Sequence, residues 1–469
     1  MKKIFFTYIA LLLSVAVFAQ QKETHTYSLK EAVDFAIQNN NTVKNARLDE
    51  TKAKAFNWEI LTTGLPQVNA SFEYDYYFKT PEIPAFTNSF SDPNSPINKI
   101  INQIGTDLPN VGTLLQQSGG GFSNISFFLP NDITTNLSIN QLLFDGRYFV
   151  GLKARKDLYN VSRFSREMSE QDIKYTVAKA YYQAEAAQEA KSLLLDNLKP
   201  IEKLLSDTKA VFEQGLTEEL DVNRLELAQA TLQSQINLQN QMAEVGLANL
   251  KFQMGLPLGD EIILKDKLDE LKGAADISNE RKFDAKNRIE YDLLTTSVIL
   301  KGYDKKQKQG GYYPTISAFL NYGWNTQTQK FGDMFHRANW YQQGLVGLSI
   351  KLPIFDSGLK NAQIKQARME ELKAINDFEN FKNASLLQYQ AAESGLNTAI
   401  SDEAISQKTA DLSKKIFNTN QSKFKEGVGS SFELVQSEQD YASNVLKHVQ
   451  SVMNLLNAKA DLDKAMGVK

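Results

Sequence analysis

The helical break around which this sequence is organised reads Val211-Phe212-Glu213-Gln214-Gly215-Leu216-Thr217-Glu218-Glu219-Leu220-Asp221-Val222. Glycine commonly ends a helix, and acidic residues favour the first turn of the next helix. The pattern returns in residues 416–434, where Gly427 matches Gly215 and Glu433 matches Asp221. The sequence therefore predicts a helical hairpin that occurs twice, and each break is called a tip below.

The same offset relates features that lie far from the two tips. Gly215 and Gly427 are 212 positions apart (427 − 215), and Asp145 and Asp356 are 211 apart (356 − 145). An offset that persists over such a length indicates two structural repeats in one chain. Each predicted repeat runs helix, strand, loop, strand, long helix, tip, return helix. We predict the repeats over residues 20–257 and 287–469, joined by an equatorial linker over residues 258–286.

Four stretches alternate between apolar and polar residues, which is the pattern of a β-strand with one apolar face. In the first stretch, apolar and aromatic residues hold the even positions, including Val68, Phe72 and Tyr76. The predicted strands span about residues 66–78, 133–144, 314–326 and 344–354. Each has about the length of a transmembrane β-strand, roughly 9–11 residues.

A related turn follows the second strand of each repeat, reading Phe144-Asp145-Gly146-Arg147 and then Phe355-Asp356-Ser357-Gly358. Asp145 and Asp356 can cap the helices that follow, and Gly146 and Gly358 permit a tight reversal. Pro200 predicts a kink or a short break in the first long helix. The predicted long helices span about residues 148–213 and 359–425, and the return helices about 218–254 and 431–466.

Small and apolar residues recur every three or four positions along the first long helix, which is typical of a coiled-coil seam. The predicted seam consists of Val177, Ala180, Ala184, Ala187, Leu194, Leu198, Ile201 and Leu205. Lys191 interrupts it. The alanines allow neighbouring helices to pack closely.

The first residues have the features of a secretory signal peptide, which we predict over residues 1–19. Met1-Lys2-Lys3 is basic, residues 4–18 are apolar, and Ala19 provides a small residue at the cleavage site. A membrane anchor helix is the alternative, but the apolar run is short for a membrane span. The chain has no cysteine, so we expect neither disulfides nor a lipoprotein anchor.

The charges and polar motifs exclude several classes of protein. The chain has 52 basic and 55 acidic residues, a balance that argues against nucleic acid as a partner. Its three histidines, His25, His336 and His448, lack metal-ligand spacing. Residues 119–121 are three glycines, but they lack the residues of a phosphate-binding loop. We therefore predict no catalytic residues, no metal, no cofactor and no enzyme activity.

Four strands of membrane type cannot close a barrel within one chain, because the smallest single-chain outer-membrane barrels have about eight strands. An open sheet edge in lipid would leave backbone groups without hydrogen bonds. We therefore expect several chains to share one barrel, and their long helices to form a second, helical barrel. The predicted fold is a mixed α and β membrane protein that forms a duct.

The duplicated plan, the two strand-to-helix turns and the two tips resemble the TolC family of outer-membrane efflux proteins. The resemblance covers nearly all of the chain after residue 19. It implies a homotrimer with a twelve-stranded barrel, four strands per chain, in the outer membrane of a Gram-negative bacterium and in contact with its lipid. It also implies an exit duct for small molecules or polypeptides, in an efflux pump or a type I secretion system. The implied partners are a periplasmic adaptor protein and an inner-membrane pump.

The resemblance also assigns the acidic residues of the tips to a ring at the periplasmic mouth of the duct. Asp221 and Glu433 match acidic positions of the family, whereas a second acidic position falls on Gln436 and a basic one on Gly429. Three copies of each acid around a narrow opening would attract cations. The alternative is that both acids only stabilise helix starts through the helix dipole.

The tips are also where adaptors meet members of this family, which implies contacts at Gly215, Leu216, Gly427 and Val428. The alternative for the glycines is that both only end a helix with a positive φ angle. A different class of protein also fits part of the pattern: a secreted coiled-coil scaffold or adhesin whose strands pack on protein. Such a scaffold would not need strands with an apolar, aromatic outer face.

Overall fold

The computed structural model describes residues 24–79, 94, 99, 100, 103, 129–275 and 282–468. The predicted signal peptide and most of the polar loop between the first two strands lie outside the described residues. By its internal contacts the chain divides into two units. The first comprises Met1–Asn57, Ala154–Lys305 and Lys365–Lys469, and the second comprises Trp58–Lys153 and Lys306–Ile364.

The second unit is built on a four-stranded antiparallel sheet. Its strands are β2 (Gln67–Tyr76), β3 (Asn131–Phe144), β5 (Thr315–Thr328) and β6 (Trp340–Lys351), in the order β2-β3-β5-β6. The register aligns Val68, Ile139, Leu320 and Val346 in one row across the sheet. Because side chains alternate between faces, this row places the apolar positions of all four strands on the same face.

The last strand differs from its predicted bounds of 344–354. It begins at Trp340, which pairs with Thr326, and it ends at Lys351. Pro353 has no N–H group to donate to a strand ladder, so the apolar alternation through Leu352 and Ile354 continues past the end of the strand. Short 3₁₀ turns, Phe331–Phe335 and Arg337–Asn339, occupy the connection between β5 and β6.

Four long helices form most of the first unit. They are α3 (Gly146–Glu213), α4 (Glu219–Met254), α7 (Leu359–Lys425) and α8 (Ser431–Met466). Helix α3 has 68 residues and continues through Pro200, so the break that Pro200 predicted is absent. All eight residues of the predicted seam are buried. Lys191, which interrupts the seam, donates a hydrogen bond to Asn240 Oδ1 at 2.6 Å.

The N-terminal segment and the linker form a second layer on these helices. Strand β1 (Thr24–Tyr27) pairs in parallel with β4 (Glu261–Leu264), although more than two hundred residues separate them. Helix α1 (Leu29–Asn39) starts with a capping box formed by Ser28 and Glu31. Three further α-helices are α2 (Asn41–Thr62), α5 (Leu268–Ala274) and α6 (Ile289–Gly310), and a 3₁₀ turn spans Ala285–Asn287.

Tyr181 of α3 forms hydrogen bonds that connect this layer to the long helices. Its hydroxyl donates to the carbonyl oxygen of Tyr27 at 3.0 Å and accepts from the backbone N–H of Asp266 at 3.1 Å. Leu268 and Leu271 of the linker are buried in the same hydrophobic core as Tyr181. None of the helices in the described part of the chain combines the length and the apolar composition needed to cross a membrane.

Candidate functional site: the two hairpin tips

The two tips have the same backbone geometry. Gly215 and Gly427 both have φ +74°, the left-handed conformation that glycine adopts most readily. In the first tip, Leu216 N–H donates to Val211 O at 3.1 Å and Gly215 N–H donates to Phe212 O at 2.8 Å. These two bonds define a Schellman motif, which ends the helix and satisfies its last carbonyl groups.

The second tip repeats this motif and adds a close backbone contact. Val428 N–H and Gly427 N–H donate to Lys423 O and Phe424 O at 3.0 and 3.1 Å. A Cβ atom at Gly429 would lie 2.9 Å from both Lys423 Cβ and the backbone nitrogen of Phe424. A larger residue at position 429 would therefore push the chain away from the end of α7.

Asp221 connects the two tips within one chain. Thr217 Oγ1 donates to Asp221 Oδ2 at 2.9 Å, and the Ser431 hydroxyl donates to Asp221 Oδ1. Arg224 Nη1 donates to Ser431 Oγ at 3.0 Å, and its guanidinium carbon lies 5.8 Å from the ring centre of Phe432. Ser431 is buried between these groups, so the start of α8 is hydrogen-bonded to the start of α4.

Glu433 occupies the matching position in the second repeat, but its carboxylate is exposed. The backbone N–H of Glu433 donates to Ser430 Oγ at 3.2 Å, so Ser430 caps α8. In the described part of the chain, the Glu433 carboxylate makes no hydrogen bond or ion pair. Gln436, on the next turn, donates to Asp440 Oδ1 at 3.2 Å.

Both tips expose apolar side chains. Leu216 and Val428, which follow the two tip glycines, are 74% and 75% exposed. Leu220 and Phe432, in the first turns of α4 and α8, are also exposed. The exposed apolar residues therefore occupy matching positions at the two tips.

Two buried acids, Glu438 and Glu185, lie in the first unit. Sequence reasoning missed both. Glu438 is 1% exposed and accepts one hydrogen bond, from Asn197 Nδ2 at 2.9 Å. Burial raises the pKa of Glu438 to about 7. Burial likewise raises the pKa of Glu185 to about 7, against the opposing effect of Lys267 at 3.4 Å. The signal for Glu438 was present in the sequence, because it falls in the apolar stripe of α8 between Leu434 and Ala442.

The two predicted strand-to-helix turns lie in the second unit. Asp145 Oδ1 accepts from Arg147 N–H at 2.7 Å, and Asp356 Oδ2 accepts from Lys360 N–H at 3.2 Å, so each carboxylate caps the first turn of the helix that follows it. Gly358 has φ +85°. Gly146 does not have a positive φ angle, but position 146 requires glycine for a steric reason. A Cβ there would lie 2.8 Å from the carbonyl oxygen of Gly310.

The described residues include no group of three or more histidine, aspartate or glutamate side chains arranged to hold a metal ion.

Comparison with known proteins identifies the class to which this architecture belongs. A sequence profile described as "Outer membrane efflux protein" matches residues 107–255 and 302–468, more than half of the chain. The chain therefore belongs to the TolC family of outer membrane efflux proteins.

Individual relatives are distant. The chain is 22% identical over 330 residues to "Outer membrane protein TolC" of Salmonella enteritidis, a match that covers 68% of this chain and 66% of that protein. It is 20% identical over 258 residues to "Proteases secretion protein PrtF" of Dickeya chrysanthemi, covering 53% of this chain and 54% of that one. The chain thus matches just under two thirds of the first of these relatives and about half of the second.

A solved structure extends the similarity of the fold over nearly the whole chain. The CmeC outer membrane channel of Campylobacter jejuni has a TM-score of 0.68 and 16% identity to this chain. The superposition covers 94% of this chain and 85% of that one. This likeness shows that the fold is shared.

Proposed function

We propose that three copies of this chain form an outer-membrane channel, the exit duct of a tripartite efflux pump or a type I secretion system. The observation that carries the proposal is the four-stranded sheet with an exposed apolar face and two edges. Among the described residues, β2 and β6 pair with another strand on one side only, and every residue of β2 is exposed.

An edge strand in lipid would leave its backbone groups without partners, so a spanning sheet must close. Pairing β6 of one chain with β2 of the next satisfies both edges at once. Three chains then give a barrel of twelve strands, an even number within the range of outer-membrane barrels. The aligned apolar row of Val68, Ile139, Leu320 and Val346 would face the lipid.

The long helices suit a helical barrel in the periplasm. Helices α3 and α7 have 68 and 67 residues, so each is about 100 Å long at 1.5 Å per residue. Their return helices, α4 and α8, both have 36 residues. These matched lengths support the proposal of two repeats, each contributing one helical hairpin to the barrel wall.

The tips are the proposed meeting point with a periplasmic adaptor and the inner mouth of the duct. The exposed side chains of Leu216 and Val428, each after a tip glycine, suit contacts with an adaptor protein. The adaptor would connect the duct to an inner-membrane pump. Whether that pump delivers small molecules or polypeptides depends on a different chain, because the duct itself gives only passive passage.

Membrane fractionation followed by reconstitution tests the proposal. We expect the protein in the outer-membrane fraction, as a trimer in detergent, with ion conductance in planar bilayers. Recovery as a soluble monomer without detergent would refute the channel and favour a secreted scaffold. A detergent-solubilised trimer without conductance would refute the duct but would still support a barrel shared by three chains.

We further propose that Asp221 and Glu433 form rings of negative charge at the mouth. Replacing Glu433 by Gln, alone and together with Asp221→Asn, should reduce the cation preference of the channel, because the ring attracts cations electrostatically. Reversal potentials in a salt gradient measure that preference. Glu261→Gln, an exposed acid in the linker strand β4, is the matched control. Unchanged reversal potentials in both tip variants would indicate that Asp221 and Glu433 only stabilise the helix starts.

A further inference from the structure

The apolar face of the sheet ends in buried polar residues, at the end of the sheet opposite the one that leads into the helices. These residues are Asn131, Thr326 and Thr328. Thr326 aligns with Ile133 and Tyr74, and Thr328 aligns with Asn131. Each lies an even number of residues along its strand from the aligned apolar row, and side chains alternate between faces. The three polar side chains therefore lie on the face that the proposed channel turns toward lipid.

The hydrogen bonds of these side chains hold the connection between β5 and β6. Thr326 Oγ1 donates to the carbonyl oxygen of Asn339 at 2.9 Å, and Thr328 Oγ1 donates to that of Lys330 at 3.0 Å. Asn131 Nδ2 donates to the carbonyl oxygen of Thr328 at 3.2 Å. Residues 330 and 339 are close to the two ends of the connection, so the connection is folded over the apolar face.

Aromatic contacts complete this arrangement and leave two rings exposed. Trp340, on the same face, donates from Nε1 to the carbonyl oxygen of Met334 at 2.7 Å, and Met334 is buried. The ring of Phe331 packs edge-on against Tyr74, with 5.9 Å between the ring centres. Phe331 and Phe335 are nevertheless 56% and 77% exposed. The connection thus presents aromatic side chains on the lipid-facing side of the sheet.

Charges at this end of the sheet are divided between its two sides. Lys330 and Arg337 flank the first 3₁₀ turn of the connection, and both are exposed. In the described part of the chain, neither side chain makes a hydrogen bond or an ion pair. Asp333 is the one acid of residues 329–339. The nearest acids of the strands, Asp75 and Asp132, are aligned with each other on the opposite face.

We propose that the β5–β6 connection binds the phosphorylated headgroup of a glycolipid in the outer leaflet of the membrane. Lys330 and Arg337 would contact the phosphates, and Phe331 and Phe335 would lie at the boundary with the acyl chains. Aromatic residues favour this boundary in outer-membrane barrels, and basic clusters attract anionic lipid headgroups. The inference rests on the proposed function, because it requires that the sheet spans the outer membrane with its helix-linked end at the periplasmic surface.

Native mass spectrometry of the detergent-solubilised protein tests the proposal. The probes are lipid A, which is the phosphorylated glycolipid of the outer leaflet, and the same lipid A after removal of its phosphates. We expect saturable retention of the phosphorylated form and much weaker retention of the other. Lys330→Gln and Arg337→Gln should each weaken binding of phosphorylated lipid A about fivefold, which corresponds to the loss of one surface cation. The matched control is Lys351→Gln, on the opposite face at the other end of β6, which should leave binding unchanged.

Four results would overturn the lipid site. These are equal retention of the two forms of lipid A, the same loss in the Lys330 and Lys351 variants, retention of phosphatidylglycerol as strong as that of lipid A, and displacement of lipid A by equimolar inorganic phosphate. The last would identify a site for free anions. Conductance in bilayers of phosphatidylcholine alone separates this inference from the proposed function. A conducting protein that retains both forms of lipid A equally refutes only the lipid site, whereas a protein without conductance refutes the channel.

Discussion

Replacing Glu438 by Gln should stabilise the protein at alkaline pH. Burial raises the pKa of the Glu438 carboxyl from 4.5 to about 7. Between these values the folded chain binds more protons than the unfolded chain, so the free energy of unfolding falls as the pH rises through this window. Each pKa unit corresponds to about 1.4 kcal/mol, which places the full loss on the order of 3 kcal/mol above pH 7.

Glutamine has the shape of glutamic acid but cannot ionise. Its oxygen can keep the hydrogen bond from Asn197 Nδ2, and its amide can donate to Asn197 Oδ1, a buried atom without a hydrogen bond in the described structure. At about pH 8 the variant should therefore unfold with a free energy up to about 3 kcal/mol higher than the parent protein. At about pH 4.5 the two should agree to within about 1 kcal/mol, since the parent carboxyl is then mostly protonated.

The assay is thermal unfolding in detergent, followed by far-ultraviolet circular dichroism at both pH values. Glu185 has a raised pKa too, but it is present in both proteins and cancels in their difference. Glu433→Gln, which removes an exposed acid from the same helix, controls for net charge and should show no comparable change with pH. A Glu438→Gln variant that is less stable than its parent at alkaline pH would refute the reasoning, because it would mean that the carboxylate is ionised and favourable there.

Two further predictions concern the tips. Ser431→Ala removes the hydroxyl that joins Asp221 to Arg224. We expect faster hydrogen exchange at the starts of both α4 and α8. The control Ser430→Ala removes only the cap of α8 and should speed exchange in α8 alone. Identical exchange in the two variants would contradict a hydrogen-bonded link between the two tips. Gly429→Ala should lower the unfolding temperature because its Cβ meets backbone at 2.9 Å. The control is Gly395→Ala, in a helix interior with open space around it. This variant should raise the free energy of unfolding by up to about 1 kcal/mol. If Gly429→Ala stabilised the protein instead, the close contact at position 429 would be refuted.

Local patterns in the sequence were sufficient to predict the strands, the long helices and the tip conformation. Alternation places the apolar residues of a strand on one face whatever its partners are, and the register then brings those faces together. The positive φ angles of Gly215 and Gly427 follow equally from the need to end a helix.

Contacts between distant residues were not predictable in this way. Nothing near Ser431 in the sequence indicates that it meets Asp221, 210 positions earlier. The same holds for Glu438 and Asn197, which are 241 positions apart. Gly146 has a local explanation as a turn residue, but its role depends on the approach of Gly310. In each case the cause is tertiary packing, which a single sequence does not specify.

Asp221 and Glu433 hold matching positions in the two repeats, yet their carboxylates are used differently. Both oxygens of Asp221 accept hydrogen bonds within the chain, whereas the Glu433 carboxylate is exposed. A carboxylate with two donors has part of its charge compensated, so it attracts a passing cation less strongly than a solvated one does. In the proposed trimer, Glu433→Gln alone should therefore account for most of the lost cation preference, and Asp221→Asn should act mainly on the link between the tips. Equal contributions of the two variants to the reversal potential would contradict this division.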